Sequence, residues 1–208
     1  MSRTYITFAA AFILSITVSG RALAQAWDTP TFLPPRLTEE IGAGLIDPEG
    51  ADWGLVGFWR QPGPVGFGVR AGFVTGGDAT FLVGTEFFAP VFPITDREPL
   101  AMLWTAGLGG AFGDHTEIRI PVGVTAGVLV PMGAGLALQP YAHPRAALDL
   151  HIVDDETTAK FRASLDLGAD LVVGSQLRLR FAGTFFEREA WGISASWTGL
   201  RPVDVVGR

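Results

Sequence analysis

The sequence predicts an all-β chain closed into an antiparallel up-and-down barrel of about ten strands, with eight the other even count it would fit. Three observations predict it. Apolar and polar residues alternate with a period of two, the alternating segments are long, and turn-forming residues bound each one. The candidate strands are 39–46, 53–60, 65–74, 79–91, 100–112, 116–130, 136–151, 158–173, 177–186 and 191–200.

In 65–74 one phase reads Val65, Phe67, Val69, Ala71, Phe73 and the other Gly66, Gly68, Arg70, Gly72. In 116–130 Ile118, Ile120, Val122, Val124, Ala126 and Val128 alternate with Glu117, Arg119, Gly123, Thr125 and Gly127. In 136–151 Leu138, Ala142, Ala146, Leu148 and Leu150 oppose Gln139, Tyr141, His143, Arg145, Asp149 and His151. In 158–173 Phe161, Ala163, Leu165, Leu167, Ala169 and Leu171 oppose Lys160, Arg162, Ser164, Asp166 and Asp170. In 177–186 Leu177, Leu179, Phe181 and Phe185 oppose Arg178, Arg180 and Thr184. Successive side chains of a strand point to opposite faces, so each segment has one apolar and one polar face. Within 116–130, 136–151, 158–173 and 177–186, each of which carries two or more charges, all the charges of a segment share a phase.

The intervening segments are turn formers by mechanism: Asp47-Pro48-Glu49-Gly50, Gln61-Pro62-Gly63-Pro64, Thr75-Gly76-Gly77-Asp78, Gly113-Asp114-His115, Pro131-Met132-Gly133, Asp154-Asp155-Glu156 and Gly174-Ser175-Gln176. Glycine reaches positive φ, proline presets φ, and Asp bonds its own backbone. With 27 glycines and 14 prolines, long helices are excluded.

Ahead of the strands, Arg3, the apolar run Ile6 to Val18, and the small-residue pairs Ala22/Ala24 and Ala24/Ala26 read as a secretory signal peptide over 1–24. The apolar run is too short for a membrane helix. A Pro-rich arm (Pro30, Pro34, Pro35) follows over 25–38, then the barrel over 39–200 and a tail over 201–208. Removing 1–24 takes away Arg3 and Arg21 and no acid, so the net charge moves from −6 to −8. A chain that acidic is not built for nucleic acid. With no cysteine it has no disulfide or thiolate chemistry.

A soluble sheet also alternates, so strand length decides the solvent. A tilted membrane strand needs about 9–11 residues, whereas globular strands average nearer 5–6. Nearly all the candidates reach the longer class. Aromatic residues gather at the two ends of the apolar face: Trp53, Phe73, Phe81, Phe112, Phe161, Phe185 and Trp191 at one, and Trp59, Phe67, Phe87, Trp104 and Trp197 towards the other. Two such belts suit the two interfaces of a bilayer. The signal peptide, these strands and the closing segment Trp191-Gly192-Ile193-Ser194-Ala195-Ser196-Trp197 resemble small outer-membrane β-barrel proteins of the OmpA or OmpX type. The resemblance implies a bacterial outer-membrane location and handling by the insertion machinery; its pattern departs in the chain's continuation past Trp197 to Arg208.

A barrel of this size leaves room for side chains or a small ligand. The expected inward charges are Arg70, Glu86, Glu117, Arg119, Arg145, Asp149, Lys160, Arg162, Asp166, Asp170, Arg178 and Arg180. Both signs in one confined space should pair, giving a lumen plugged by ion pairs or a narrow water-filled path. The alternative is an exported soluble barrel with the apolar phase inward around an apolar ligand. His143, His151, Asp149, Ser164 and Asp166 share the polar phase, but no nucleophile motif such as Gly-x-Ser-x-Gly accompanies them. The expectation is therefore no enzyme, no cofactor and no metal. One set of connections holds Asp47, Glu49, Asp52, Asp78, Asp114, Asp154, Asp155, Glu156, Glu187 and Glu189 against Arg188; the other holds Asp96, Arg97 and Glu98. The expected partners are membrane lipid or lipopolysaccharide, with divalent cations at the acidic rim.

Overall fold

The computed structural model describes residues 29–76, 79–95, 99–113, 115–153, 156–186 and 189–199. The expected signal peptide and C-terminal tail lie outside these residues. The strands are β1 (Glu40–Pro48), β2 (Trp53–Gln61), β3 (Gly66–Thr75), β4 (Thr80–Pro90), β5 (Leu100–Phe112), β6 (Thr116–Val128), β7 (Val130–Gly133), β8 (Leu136–Val153), β9 (Glu156–Val173), β10 (Leu177–Phe186) and β11 (Ala190–Thr198).

Sequence neighbours pair antiparallel from β1 through β6 and from β7 through β11, β1 pairs with β11, and β8 pairs with both β6 and β7. The ring is closed. Strands β6 and β7 are two lengths of one stave, interrupted at Leu129, so ten staves make the wall. The expected segment 116–130 is that interrupted stave, and 136–151 and 158–173 extend into a longer hairpin than the sequence indicated. Pairing of β1 with β11 removes the open edge of the sheet, and only residues 156–163 of β9, which run past the end of β10, and the short β7 keep a side without a ladder partner among the described residues.

Proline marks where the ladders skip. Pairing of β5 with β6 passes from Ala106–Val122 to Gly109–Arg119 around Pro121. Pairing of β6 with β8 passes from Gly123–Arg145 to Ala126–Ala142 around Pro144. A residue with no N–H cannot complete those rungs.

The two phases of every stave fall on opposite sides of the wall. On β10, Arg178 and Arg180 are buried while Leu179 and Phe181 are exposed. On β11, Ser194 and Ser196 are buried while Ile193 and Trp197 are exposed. The barrel is polar inside and apolar outside. The packing expected of a soluble barrel around an apolar ligand has the reverse arrangement, so that alternative does not describe this fold.

Candidate functional site: the lumen and its N-terminal arm

Inside the barrel the charges form three clusters stacked along its axis. The first surrounds Glu40, the opening residue of β1, at the end where the N-terminal arm enters. Arg60 meets its carboxylate at 3.0 Å and Arg180 at 2.7 Å, while the Ser196 hydroxyl donates at 2.9 Å. Arg60 also bonds Glu86, and Arg180 reaches Asp170 at 2.7 Å, with Arg178 3.9 Å from the same carboxylate. The Phe58 ring lies under both guanidinium groups, 4.5 Å from Arg60 and 5.8 Å from Arg180. A buried carboxylate tolerates desolvation only when its lone pairs are taken up this fully.

Midway along the lumen Asp166 is the hub. It accepts from Arg145 at 2.9 Å, from Thr184 at 2.8 Å, and from the amide and hydroxyl of Thr31. His143 bonds the Thr31 hydroxyl through Nδ1 and Thr105 through Nε2, both at 2.9 Å. Because the Thr31 proton points at Asp166, a consistent pattern has His143 Nδ1–H donating to Thr31 and Thr105 donating to Nε2. Both ring nitrogens are thus occupied, and Ser164 is not among their partners. The third cluster lies towards the other end. Asp149 takes Arg119 at 2.7 Å and Arg162 at 3.0 Å, and His151 stands 3.1 Å from Glu117. Glu117, Asp149 and His151 bring ligand atoms within 4.8 Å of one another, the spacing a cation would use. Arg119 and Arg162 already neutralise the Asp149 carboxylate, so a cation there would compete with two guanidinium groups.

Of the twelve charges the sequence assigned to the interior, ten stand in these clusters, and Arg70 points inward at the Thr29 hydroxyl and the Pro30 carbonyl of the arm. Lys160 shares the inward phase but sits in the exposed part of β9 beyond the enclosed lumen. Pattern reading missed Glu40 and Arg60, the centre of the first cluster. Arg60 is the only charge of its strand, so phase agreement could not be tested there, although it does alternate against Trp59.

The larger surprise is the arm. Thr29 to Pro35 is buried inside the barrel and pairs with no described strand, yet most of its carbonyls find donors. Arg60 donates to the carbonyls of Thr31 (2.6 Å) and Phe32 (2.7 Å). Arg145 and Arg70 reach those of Thr29 and Pro30 at 3.4 Å, Thr125 that of Leu33 at 2.8 Å, and Arg178 that of Arg36 at 3.2 Å. Buried carbonyls need donors, and here the wall supplies them from arginine side chains instead of a neighbouring strand. Pro30, Pro34 and Pro35 suit the segment because each removes an N–H that would otherwise need a partner.

Phe32 is the anchor of the arm. Its ring is fully buried among Ile46, Val56 and Phe58, stacked on Phe58 at a centroid distance of 6.4 Å. Its φ of 50° is a left-handed conformation that costs a non-glycine residue about 1–3 kcal/mol, so the pocket over-determines it. Gly192 makes the space: a Cβ there would stand 2.6 Å from the Phe32 ring. Nearer the entrance Leu33 packs with Phe88 and Leu103, joined by Leu37 and Ile94. Beside Thr31 and His143 remains a cavity of about 20 Å³, room for a single water.

On the outer wall the rings gather at two levels. Trp59, Phe67 and Phe87 pack edge to edge at one (6.4 and 5.4 Å). At the other Trp53 meets Phe73 at 5.9 Å and Phe185 meets Trp191 at 5.2 Å. Phe81, Phe112 and Phe161 are exposed at that second level, and Trp104 and Trp197 are exposed towards the first. Of the acidic rim, Asp47, Glu49, Asp52, Glu156 and Glu189 are exposed at the second end. The remaining acids of that rim, with Arg188, and the opposing Asp96, Arg97 and Glu98 lie outside the described residues.

No family model matches the chain, and no curated protein matches it. A solved chain described as "KdgM porin" is similar in structure, with 7% sequence identity and a TM-score of 0.41, over 77% of this chain and 99% of that one. The functional reading therefore rests on the barrel's own geometry. Ten staves also set it apart from the eight of the small OmpA and OmpX barrels.

Proposed function

We propose that this chain is an integral outer-membrane β-barrel whose lumen is closed by its own N-terminal arm, with a structural or narrow-pore role. The observation that carries the reading is the inverted distribution of polarity: ion pairs fill the inside while a predominantly apolar surface faces out. Exposed Ile41, Leu45, Val83, Leu108, Val122 and Ile193 would be costly in water and are at home in lipid. The arm and the three ionic clusters leave little room for a solute, so the closed form supports at most a small conductance. Neither His143 nor Ser164 has the setting of a catalytic group, and the role is non-enzymatic. Lipopolysaccharide and divalent cations at the acidic rim, and the membrane-insertion machinery during assembly, are the partners this reading calls for.

Planar-bilayer recording tests it. The intact chain should give small, unstable conductance or none, and a variant lacking residues 29–37 should give larger and steadier steps. Large stable steps from the intact chain, or no change on removing the arm, would overturn the closed-lumen reading.

A further inference from the structure

The wall of this barrel is not the same height all round. Strands β1, β2 and β11 each have 9 residues, whereas β8 and β9 each have 18. About 9–11 residues cross the hydrocarbon layer. The additional length of β8 and β9 carries no charge on its outer face, where Thr157 near the tip is a polar position. From Leu138 to Ile152 on β8, and from Ala159 to Val173 on β9, no outward position carries a charge. The belt of rings nearer the arm's entrance is also missing from this side. Trp59, Phe67, Phe87 and Trp104 belong to β2–β5 and Trp197 to β11, while β6, β8, β9 and β10 present aliphatic residues at that level. A tall apolar wall without interfacial rings at one boundary fits a flat bilayer poorly, since mismatch costs free energy for each ångström left uncovered.

The same wall is concave. A groove of about 910 Å³ runs over β5, β6, β8 and β9, floored by Ala106, Pro144, Ala146 and Ala163 and rimmed by Trp104 and Phe186. It overlies the rungs that Pro121 and Pro144 interrupt. Phe186 holds a φ of 87° and leaves its ring 75% exposed, a strained backbone presenting a large apolar knob.

We propose that this face, formed by the β6/β7 stave, β8 and β9, is the interface with a second copy of the chain. Three staves at about 4.8 Å spacing and about 59 Å of strand present on the order of 850 Å². That is close to the roughly 800 Å² per partner of a stable protein interface. Two copies inserted with the same orientation are related by an axis along the bilayer normal, so residues at equal height meet. Phe186 of each copy then faces the groove of the other at its own level. The pairing covers the apolar height that lipid matches badly and fills the groove with a ring. The inference rests on the membrane reading above and is tested so that the two can fail separately.

The chain has no cysteine, which makes the experiment clean. Single-cysteine variants Ala163→Cys, on the proposed face, and Ala71→Cys, on the outer face of β3, are treated in native membranes with a short bis-maleimide. Ala163→Cys should give a band at twice the chain's mass with at least ten-fold the yield of Ala71→Cys. Adding Ala146→Trp to Ala163→Cys should fill the groove and lower that yield about ten-fold while the folded barrel keeps its heat-modifiable migration. If that double variant fails to fold, the contrast between positions 163 and 71 decides alone. Equal yields at both positions, no dimer from position 163, or a conjugate of another mass would overturn the proposal. Carbonate extraction of the same membranes reports separately on the membrane reading: release into the supernatant would sink that reading itself.

Discussion

Replacing Glu40 by alanine should be among the most damaging single changes in the barrel. Its carboxylate is fully buried and receives Arg60, Arg180 and Ser196. Without it two buried guanidinium groups face each other across the lumen, with Glu86 and Asp170 left as their partners. Removing one member of a buried ionic network costs about 3–5 kcal/mol, since the charge left behind is desolvated and uncompensated. Glu40→Gln keeps the shape and one acceptor and should cost less, about 1–3 kcal/mol. Glu39→Gln, one residue earlier and outside the network, should stay within about 0.5 kcal/mol. The assay is urea unfolding of the folded barrel in lipid vesicles, followed by tryptophan fluorescence and by the shift in gel mobility on heating. Glu40→Ala should move the unfolding equilibrium at least a hundred-fold towards the unfolded chain. A loss below about 1 kcal/mol would mean that Arg60 and Arg180 find other partners, and the argument from buried charge would be refuted.

Asp149→Asn should cost about 3 kcal/mol in the same assay, since Arg119 and Arg162 both depend on that carboxylate. Thr31→Val keeps the volume but deletes the hydroxyl shared by Asp166 and His143; about 1–3 kcal/mol of arm seating should be lost, and added protease should cut near the arm faster. Gly192→Leu drives a side chain into the space of the Phe32 ring and should unseat the arm, so conductance should rise towards that of the variant lacking 29–37. Gly168→Ala, whose Cβ would lie 2.5 Å from the Tyr141 hydroxyl, should destabilise the folded barrel by about 1–3 kcal/mol.

Fold was far more legible in the sequence than the site. Period-two alternation is a backbone property, so Leu177 to Phe185 and Phe161 to Val173 could be assigned a face without knowing their neighbours. Proline and glycine punctuation then placed most strand ends within a residue or two of where the ladder stops. The arm was legible only as irregular chain. Nothing local in Thr29 to Pro35 says where it lies, because its partners Arg60, Thr125, Arg145 and Asp166 are distant in sequence and meet only after closure. A signal was present in hindsight: Phe32 and Leu33 form an apolar pair between prolines, with no strand to carry them. Glu40 was hidden for a related reason, standing at the margin of the least regular strand, where phase cannot be judged. The height of β8 and β9 was underestimated because Ile152, Val153 and Thr157 give no sharp stop.

The claim on which everything else depends is that lipid, not water, faces the outer phase of every stave. Spin labels on single cysteines at Leu103, Trp104, Thr105, Ala106, Gly107 and Leu108 along β5, with the protein in vesicles, test it most directly. Accessibility to oxygen should peak at 104, 106 and 108, whose side chains face outward, and fall at 103 and 105, which are buried inside. A water-soluble nickel reagent should reach none of the three outward positions. Ready access of the nickel reagent at 104, 106 and 108, or an oxygen profile in the opposite phase, would contradict a membrane barrel.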